Sequence, residues 1–314
     1  MKVKNKITVP VLLVGFNRPD TIQVVFNHIR EAMPEKLYVA IDGPRRDKEG
    51  EQNLVEQVKE IVKKADWQCQ TYYRFNDENK GAEVTVSSAI SWVFEKEEYA
   101  IIMEDDIVAP VSFFRFMQEM LHRYKDDERI GIVSGNNSTP MDLGNDDDYF
   151  FAKYGHSWGW GTWRRTWEKF DLNIEVKDEH LQKEFLRKIS NSKAEAKFYK
   201  KRYSNMKKRG AGNSTWDFAA NYIARVNNFV NIVPRVNLTS NIGIYGLHAR
   251  GVSKHHYREF DENFEVKNHP SKVECNVEYD KYHFIEHIYK NKHNLYHRVI
   301  NKVYRMLFSR NYYN

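Results

Sequence analysis

Cysteine is scarce in this sequence, and long apolar runs are missing. The 314 residues contain two cysteines, Cys69 and Cys275, and these are not paired at the spacing of a metal site. Two cysteines exclude a disulfide scaffold and favour a reducing compartment. No run of about 18 apolar residues occurs, so the sequence predicts no membrane-spanning helix. The basic N-terminus leads into a strand-like stretch without a small-residue cleavage site, so we expect a cytoplasmic protein without a signal peptide.

The two common glycine-rich nucleotide motifs are absent as well. Neither G-x-G-x-x-G nor G-x-x-x-x-G-K-[ST] occurs, which argues against a dinucleotide-binding fold and against a P-loop. Aromatic residues, in contrast, make up 14% of the chain, and the net charge is +6. The aromatic content suits a cleft that stacks rings or sugars, and the basic excess favours polyanions, phosphates or an acidic membrane surface.

Strand-like apolar runs alternate with amphipathic helical stretches in the first part of the chain. Strands are predicted at 9–16, 37–41, 70–74 and 99–104, with helices after each of them and a further strand at 130–134. This alternation predicts an α/β fold with a mixed, mainly parallel sheet flanked by helices. The charged region 174–212 is predicted to be a helical insertion over the cleft, and 229–234 a last strand.

Three adjacent carboxylates, Glu104, Asp105 and Asp106, end the fourth predicted strand. Such a group needs water, a cation or strong hydrogen-bond donors, because its members repel one another. A solvated turn and a hard oxygen site for Mg²⁺ or Mn²⁺ both fit this stretch on its own. Ligands of parallel α/β sheets bind beyond the carboxyl ends of the strands, and Arg18 and Asp42 also follow predicted strands. This recurrence favours the binding-site interpretation.

Two later motifs carry functional and structural interpretations side by side. A tryptophan–glycine stretch allows close approach of a ligand under aromatic rings, but it also fits core packing; its tryptophans are Trp158, Trp160 and Trp163. Asp217 follows Trp216 at the start of a predicted helix, where a carboxylate is either a cap or a general base. The glycine-rich stretch 241–253 is predicted to be a mobile loop that closes over phosphates.

In chain order, these motifs resemble the glycosyltransferases of the GT-A fold, and in particular the N-acetylglucosaminyltransferase I family and its inverting relatives. In that family, an arginine after the first strand, an aspartate after the second, an EDD, a WD pair and a Gly-Val-Ser loop form the donor site. The matching positions, within residues 8 to 265, are Arg18, Asp42, Glu104, Asp105, Asp106, Trp216, Asp217 and residues 251–253. The family's uracil-contacting histidine has no match between residues 81 and 94.

The resemblance implies how the nucleotide-sugar donor would be held. Asp42 would accept a hydrogen bond from the nucleobase, and Arg18 would pair with the diphosphate. Asp105 would hold the ribose and Glu104 the sugar hydroxyls, with Trp216 beside them.

The resemblance also implies how the metal and the acceptor would be held. Asp106 would be the one direct protein ligand of Mn²⁺ or Mg²⁺, and His248 is either a further metal or phosphate contact or a structural histidine. Val252 and Ser253 would cover the bound donor. Asp217 would be the general base. The sugar or acceptor side would be lined by Trp158, Trp160 and Trp163.

The activity that follows from the resemblance is metal-dependent, inverting transfer of a sugar from a nucleotide diphosphate. UDP is the expected nucleotide and GlcNAc a candidate sugar, with a glycan or glycolipid hydroxyl as acceptor in surface polysaccharide synthesis. No nucleic-acid partner is expected on this interpretation. Two alternatives stay open, a non-catalytic carbohydrate- or nucleic-acid-binding protein and a sugar nucleotidyltransferase.

The C-terminal stretch is distinct in composition. From Lys281 onward, apolar residues recur at helical spacing among many basic ones. The sequence therefore predicts a glycosyltransferase-type domain over 1–265 and a basic amphipathic helical extension over 266–314. Such a helix either docks on the domain or lies on the inner face of an anionic membrane.

Overall fold

The structure, a computed structural model, describes residues 6–210, 215–243 and 258–289. Its strands are β1 Val11–Gly15, β2 Lys36–Ile41, β3 Gln70–Phe75, β4 Tyr99–Glu104, β5 Ile107–Val108, β6 Ile130–Ser134, β7 Tyr149–Ala152, β8 Trp160–Trp163, β9 Val230–Pro234 and β10 Ser240–Asn241. Within these residues, eight strands form one sheet in the order β3-β2-β1-β4-β8-β6-β9-β7, and β5 pairs with β10.

The sheet is mixed but mainly parallel. Parallel pairing joins β3 to β2, β2 to β1, β1 to β4 and β6 to β9. β8 runs antiparallel to both β4 and β6, and β7 runs antiparallel to β9. The predicted α/β class with a mainly parallel sheet is therefore confirmed.

Helices cover both faces of the sheet. They are α1 Pro19–Ala32, α2 Glu51–Val62, α3 Ala82–Phe94, α4 Val111–Arg123, α5 Arg164–Trp167, α6 Lys183–Lys188, α7 Lys193–Arg209, α8 Trp216–Val226 and α9 Val277–His283, with a 3₁₀ turn at Asp178–Leu181 and a π-helical turn at Phe284–Tyr289. Successive strand residues point to opposite faces, so Leu13 and Val39 pack under α1, α2 and α4, whereas Leu12 and Tyr38 pack under α3. No helix among the described residues is both long and apolar enough to cross a membrane.

The charged region after residue 174 has a core of its own. Tyr199 and Tyr203 of α7 pack against Tyr222 of α8. Arg225 lies between the rings of Tyr154 and Tyr199, with its Cζ 4.5 and 4.3 Å from the two centroids. Its Nη1 atom is 3.5 Å from the buried carboxylate of Glu195. This region is thus helical and packs on α8, and its role as an insertion over the cleft stays a prediction.

The first part of the predicted C-terminal extension docks on the sheet. Tyr279 and Asp280 of α9 are fully buried, and Asp280 accepts a hydrogen bond from Lys153 N, at 3.0 Å, just after β7. The docking interpretation therefore holds for this segment. The boundary at residue 265 stays a prediction, and residues 290–314 lie outside the described part of the chain.

We predict that Arg225→Met destabilises the fold by about 3–5 kcal/mol, because it leaves the Glu195 charge buried without its counter-charge. Urea unfolding followed by circular dichroism measures this change. The matched control is Lys207→Met, which removes the ion pair between half-buried Lys207 and exposed Asp178 and is expected to change stability by less than about 1 kcal/mol. Equal effects of the two substitutions would contradict the prediction.

Candidate active site

The acidic residues lie at the carboxyl edge of the sheet, as the sequence predicts. Asp105 and Asp106 form the turn between β4 and β5, and Glu104 is the last residue of β4. β4 pairs with β1, so this turn lies next to the loop that follows Gly15. The first and fourth strand ends therefore meet here.

Arg18 bridges these two strand ends. Its Nη2 atom donates to Asp105 Oδ1, its Nε to Asp105 Oδ2 at 3.4 Å, and its Nη1 to Asp106 Oδ2 at 3.1 Å. Asp105 Oδ2 also accepts the Phe16 N–H at 3.2 Å. Burial lowers the pKa of Arg18, but the charges of Asp105 and Asp106 outweigh that effect and raise the pKa overall. The guanidinium therefore stays charged and fixed in orientation.

Glu104 is the carboxylate that this arrangement leaves without a hydrogen-bond donor among the described residues. It is half-buried, and burial together with the charges of Asp106 and Asp105 raises its pKa to about 8. The charge of Asp217, at the start of α8, also raises the pKa of Glu104. Burial likewise raises the pKa of Asp105, although Arg18 opposes that shift. Among residues 6–210, 215–243 and 258–289, the site therefore holds more negative charge than Arg18 balances.

The strand β10 covers one side of Asp106. Ile242 N donates to the Asp106 carbonyl at 2.8 Å. At Gly243, an added Cβ would lie inside contact distance of Asp106 Oδ2 and 2.9 Å from Arg18 Nη1. Only a residue without a side chain lets the backbone pass this close. The chain thus reaches the site immediately before the predicted glycine-rich loop, of which residues 244–257 lie outside the described residues, including His248, Val252 and Ser253.

Asp42 is buried, and its carboxylate is saturated by donors from the protein. It is 3% exposed and accepts hydrogen bonds of 2.9 to 3.3 Å from Gly43 N, Asn76 Nδ2, Asn79 Nδ2, Lys80 N and Gly81 N. A carboxylate offers about four lone-pair sites, so these five donors leave no capacity for a nucleobase N–H in this arrangement. The structure gives Asp42 the role of anchoring the 76–81 loop.

The three tryptophans of the tryptophan–glycine stretch do not share one environment. Trp160 and Trp163 lie in β8, at the centre of the sheet, and are 3% and 2% exposed. Trp163 packs on the face of α4 and donates its indole N–H to Leu121 O at 3.0 Å, so it is a core residue and does not line a sugar or acceptor side. Trp160 packs on the opposite face, where it stacks on Trp216 at 5.9 Å and 16°. Trp158 is half-buried in the preceding loop.

The donor set at this edge fits a hard divalent cation. Carboxylate oxygens are the ligands that Mg²⁺ and Mn²⁺ prefer, and Glu104 and Asp106 supply them. Among the described residues, no group of three or more His, Cys, Asp or Glu side chains could hold a metal by itself. The site therefore suits a cation whose ligands would come from both Asp106 and a bound phosphate.

No sequence pattern pointed to Glu83, whose carboxylate accepts the Trp216 N–H at 2.6 Å. The donor residues around Asp42, among them Asn76 and Asn79, were not predicted either. The asparagines before Gly81 were the available signal, since a buried strand-end aspartate needs donors from a neighbouring loop.

No protein-family model matches the sequence, and no curated protein matches it. Among solved structures, the chain is similar to the mannosyltransferase PcManGT from Pyrobaculum calidifontis in complex with GDP-Man and Mn²⁺, with 16% identity and a TM-score of 0.37. The match covers 55% of this chain and 50% of that one, so the chain spans about half the length of this solved protein. A likeness of this strength does not establish an activity.

We predict that Asp42→Asn destabilises the protein by on the order of 2–3 kcal/mol, because an amide N–H₂ would face donors that Asp42 now satisfies. Urea unfolding measures the loss. Asp77→Asn, exposed on the same loop, is the control and is expected to change little. A stable Asp42→Asn protein would show that the carboxylate does not hold the loop.

Proposed function

We propose that this protein is a metal-dependent, inverting glycosyltransferase of the GT-A type. It would transfer a sugar from a nucleotide diphosphate to a hydroxyl of a glycan or glycolipid. The observation that carries the proposal is the convergence of Arg18 with Glu104, Asp105 and Asp106 at the carboxyl edge of the sheet, beside Asp217. A half-buried acidic cluster with one fixed guanidinium suits a ligand that brings its own cation and its own phosphates.

Arg18 retains the capacity to bind a diphosphate. A guanidinium has five N–H groups, and the contacts to Asp105 and Asp106 engage three of them. The paired contact to Asp105 holds the plane of the group, so that the remaining N–H groups can donate to phosphate oxygens. The contact to Asp106 is a single bond, and it would be exchanged when Asp106 binds a cation.

Mn²⁺ or Mg²⁺ would be held by Asp106, and Glu104 would interact electrostatically with the cation. When bound, the cation would neutralise charge that develops on the departing diphosphate. Glu104, without a donor of its own in the described structure, would accept hydrogen bonds from the hydroxyls of the transferred sugar. Asp105 is already committed to Arg18 and Phe16 N, so its role would be to orient the arginine in addition to any contact with ribose.

Asp217 would act as the general base. It is exposed at the start of α8 and has no hydrogen-bond partner in the described part of the chain. A carboxylate free of protein donors can take the proton of an acceptor hydroxyl as that oxygen attacks the sugar. A single displacement of this kind inverts the anomeric carbon. The bond from the acceptor oxygen forms as the bond to the diphosphate breaks, and Asp217 retains the proton.

The donor nucleotide is proposed to be UDP, and GlcNAc remains a candidate sugar. Both come from the family resemblance. The saturation of Asp42 means that a nucleobase would have to displace one of its donors or be recognised by other groups. Binding measurements with several nucleotides are therefore needed to distinguish UDP from GDP.

The protein is also proposed to bind peripherally to the inner face of an anionic membrane, and features of the C-terminal segment support this. Tyr282 and Ile285 are 42% and 46% exposed where the described chain nears its end. Residues 290–314 then add basic side chains and no Asp or Glu. Exposed apolar groups beside a basic stretch are the combination that binds anionic lipid.

The two alternatives make different demands on the site. A sugar nucleotidyltransferase needs a glycine-rich basic loop after the first strand, whereas residues 16–19 contain no glycine. A non-catalytic binding protein has no use for a cation at Asp106. Its ligand affinity would survive Asp106→Asn.

We predict that one nucleoside diphosphate raises the melting temperature only with Mn²⁺ present, because a ligand that binds the native state stabilises it by about RT ln(1 + [L]/Kd). Differential scanning fluorimetry with UDP, GDP, CDP and CMP, each with and without Mn²⁺, measures this. The shift is expected to disappear in Asp106→Asn and to persist in the exposed control Asp126→Asn. No shift with any nucleotide would contradict the donor site.

We predict that Asp217→Asn lowers kcat by about 10²–10⁴-fold, the usual contribution of a positioned base, with little change in KM for the donor. Release of the nucleoside diphosphate measures turnover with the donor that the nucleotide panel identifies. Adding Asn221→Asp to Asp217→Asn moves the carboxylate one turn along α8, and this double variant is expected to stay inactive because the position is lost although the charge is kept. Turnover of Asp217→Asn near the wild-type value would remove Asp217 from the base role.

A further inference from the structure

Glu83 joins the start of α3 to the start of α8. It lies in the first turn of α3, and its Oε2 atom accepts the Trp216 N–H at 2.6 Å across 133 residues of sequence. Trp216 is the first residue of α8, and Asp217 is the second. The bond therefore holds the backbone that carries Asp217.

Such a bond is strong for its position. The first N–H groups of a helix have no partner within the helix, so an acceptor from elsewhere stabilises them. A carboxylate at this end also interacts favourably with the helix dipole, and its bond to an N–H is charge-assisted. One bond of this kind fixes where α8 begins.

A second contact fixes the direction in which α8 leaves the sheet. The Trp216 ring stacks on Trp160 of β8, with centroids 5.9 Å apart and an angle of 16° between the planes. The stack restrains the side chain of Trp216, and Glu83 restrains its backbone. Together they define the position of the next residue, Asp217, relative to Glu104 at the end of β4.

Glu83 is itself anchored to the carboxyl edge of the sheet. Asp42, directly after β2, accepts the N–H groups of Lys80 and Gly81, which immediately precede α3. The start of α3 is thereby tied to the end of β2. The contacts therefore run from Asp42 to the start of α3, and from Glu83 to the start of α8, which carries Asp217.

We propose that Glu83 is a positioning residue for the general base. It does not touch the substrate, and it acts by holding the first turn of α8 so that the Asp217 carboxylate faces the acceptor oxygen. This inference rests on the proposed function, because it takes Asp217 to be the base. A displacement of about 1 Å at a catalytic group can lower the rate about 10²-fold, so one bond of this kind is enough to matter.

The test compares Glu83→Ala with Glu83→Gln. Alanine removes the acceptor, and glutamine keeps an amide oxygen that can accept the Trp216 N–H. We expect Glu83→Ala to lower kcat by about 10- to 100-fold with donor KM and the Mn²⁺-dependent nucleotide shift unchanged. Glu83→Gln is expected to recover most of the activity.

Ser91→Ala is the matched structural control. Ser91 Oγ, on the same helix, accepts the Trp167 indole N–H at 2.9 Å, away from the start of α8. This substitution also removes one hydrogen bond of α3 to another segment, but we expect kcat to stay unchanged. A loss of stability without a loss of kcat in Glu83→Ala would overturn the proposal.

Hydrogen exchange provides a readout that needs no activity. In Glu83→Ala, the amides of residues 216–219 are expected to exchange faster than in the wild type, and in Glu83→Gln they are expected to stay protected. Unchanged protection in Glu83→Ala would also overturn the proposal.

If the wild type transfers sugar and Asp217→Asn does not, yet Glu83→Ala is fully active, only the positioning role fails. If no nucleotide binds the wild type, the proposed function itself fails.

Discussion

The ion pairs of Arg18 with Asp105 and Asp106 are the interaction on which the candidate site depends. They connect the loop after β1 with the turn after β4, and they supply the donors that adjacent acids need at a partly buried edge. Within the described part of the chain, the charge of this one guanidinium does not balance the three carboxylates and Asp217. The excess is expressed in the raised pKa of Glu104, whose charged form is disfavoured until positive charge arrives.

A second buried carboxylate, Asp42, is held by hydrogen-bond donors of the protein and not by a counter-charge. It is stabilised by amide N–H groups of the neighbouring loop, which deliver positive partial charge without a net charge. The 76–81 loop is consequently part of the edge of the sheet. Asp42 therefore holds the 76–81 loop at the edge of the sheet, whereas the acidic turn keeps carboxylate oxygens available for a ligand.

Much of the fold could be predicted because local patterns determined it. The apolar periodicity predicted β1 to β4 and α1 to α4, and the strand-end rule placed Arg18 beside the acidic turn. The strand β8 was not predicted, because the glycines between its tryptophans conceal the strand period, and because β8 inserts between β4 and β6 out of chain order. The bond from Glu83 to Trp216 and the saturation of Asp42 depend on tertiary contacts that no local pattern encodes.

The two sides of the site differ in how they are held, and the difference suits the proposed reaction. On the proposed donor side, Asp105 is 4% exposed and bonded to both a guanidinium and a backbone N–H. Preorganised groups of this kind stabilise developing charge without reorganising, which is what a departing diphosphate requires. On the other side, Asp217 is exposed and is positioned through its backbone by Glu83 and through the neighbouring Trp216 stack. Its carboxylate is therefore open to acceptors of varied shape, whereas its distance from the acidic turn is set by the protein.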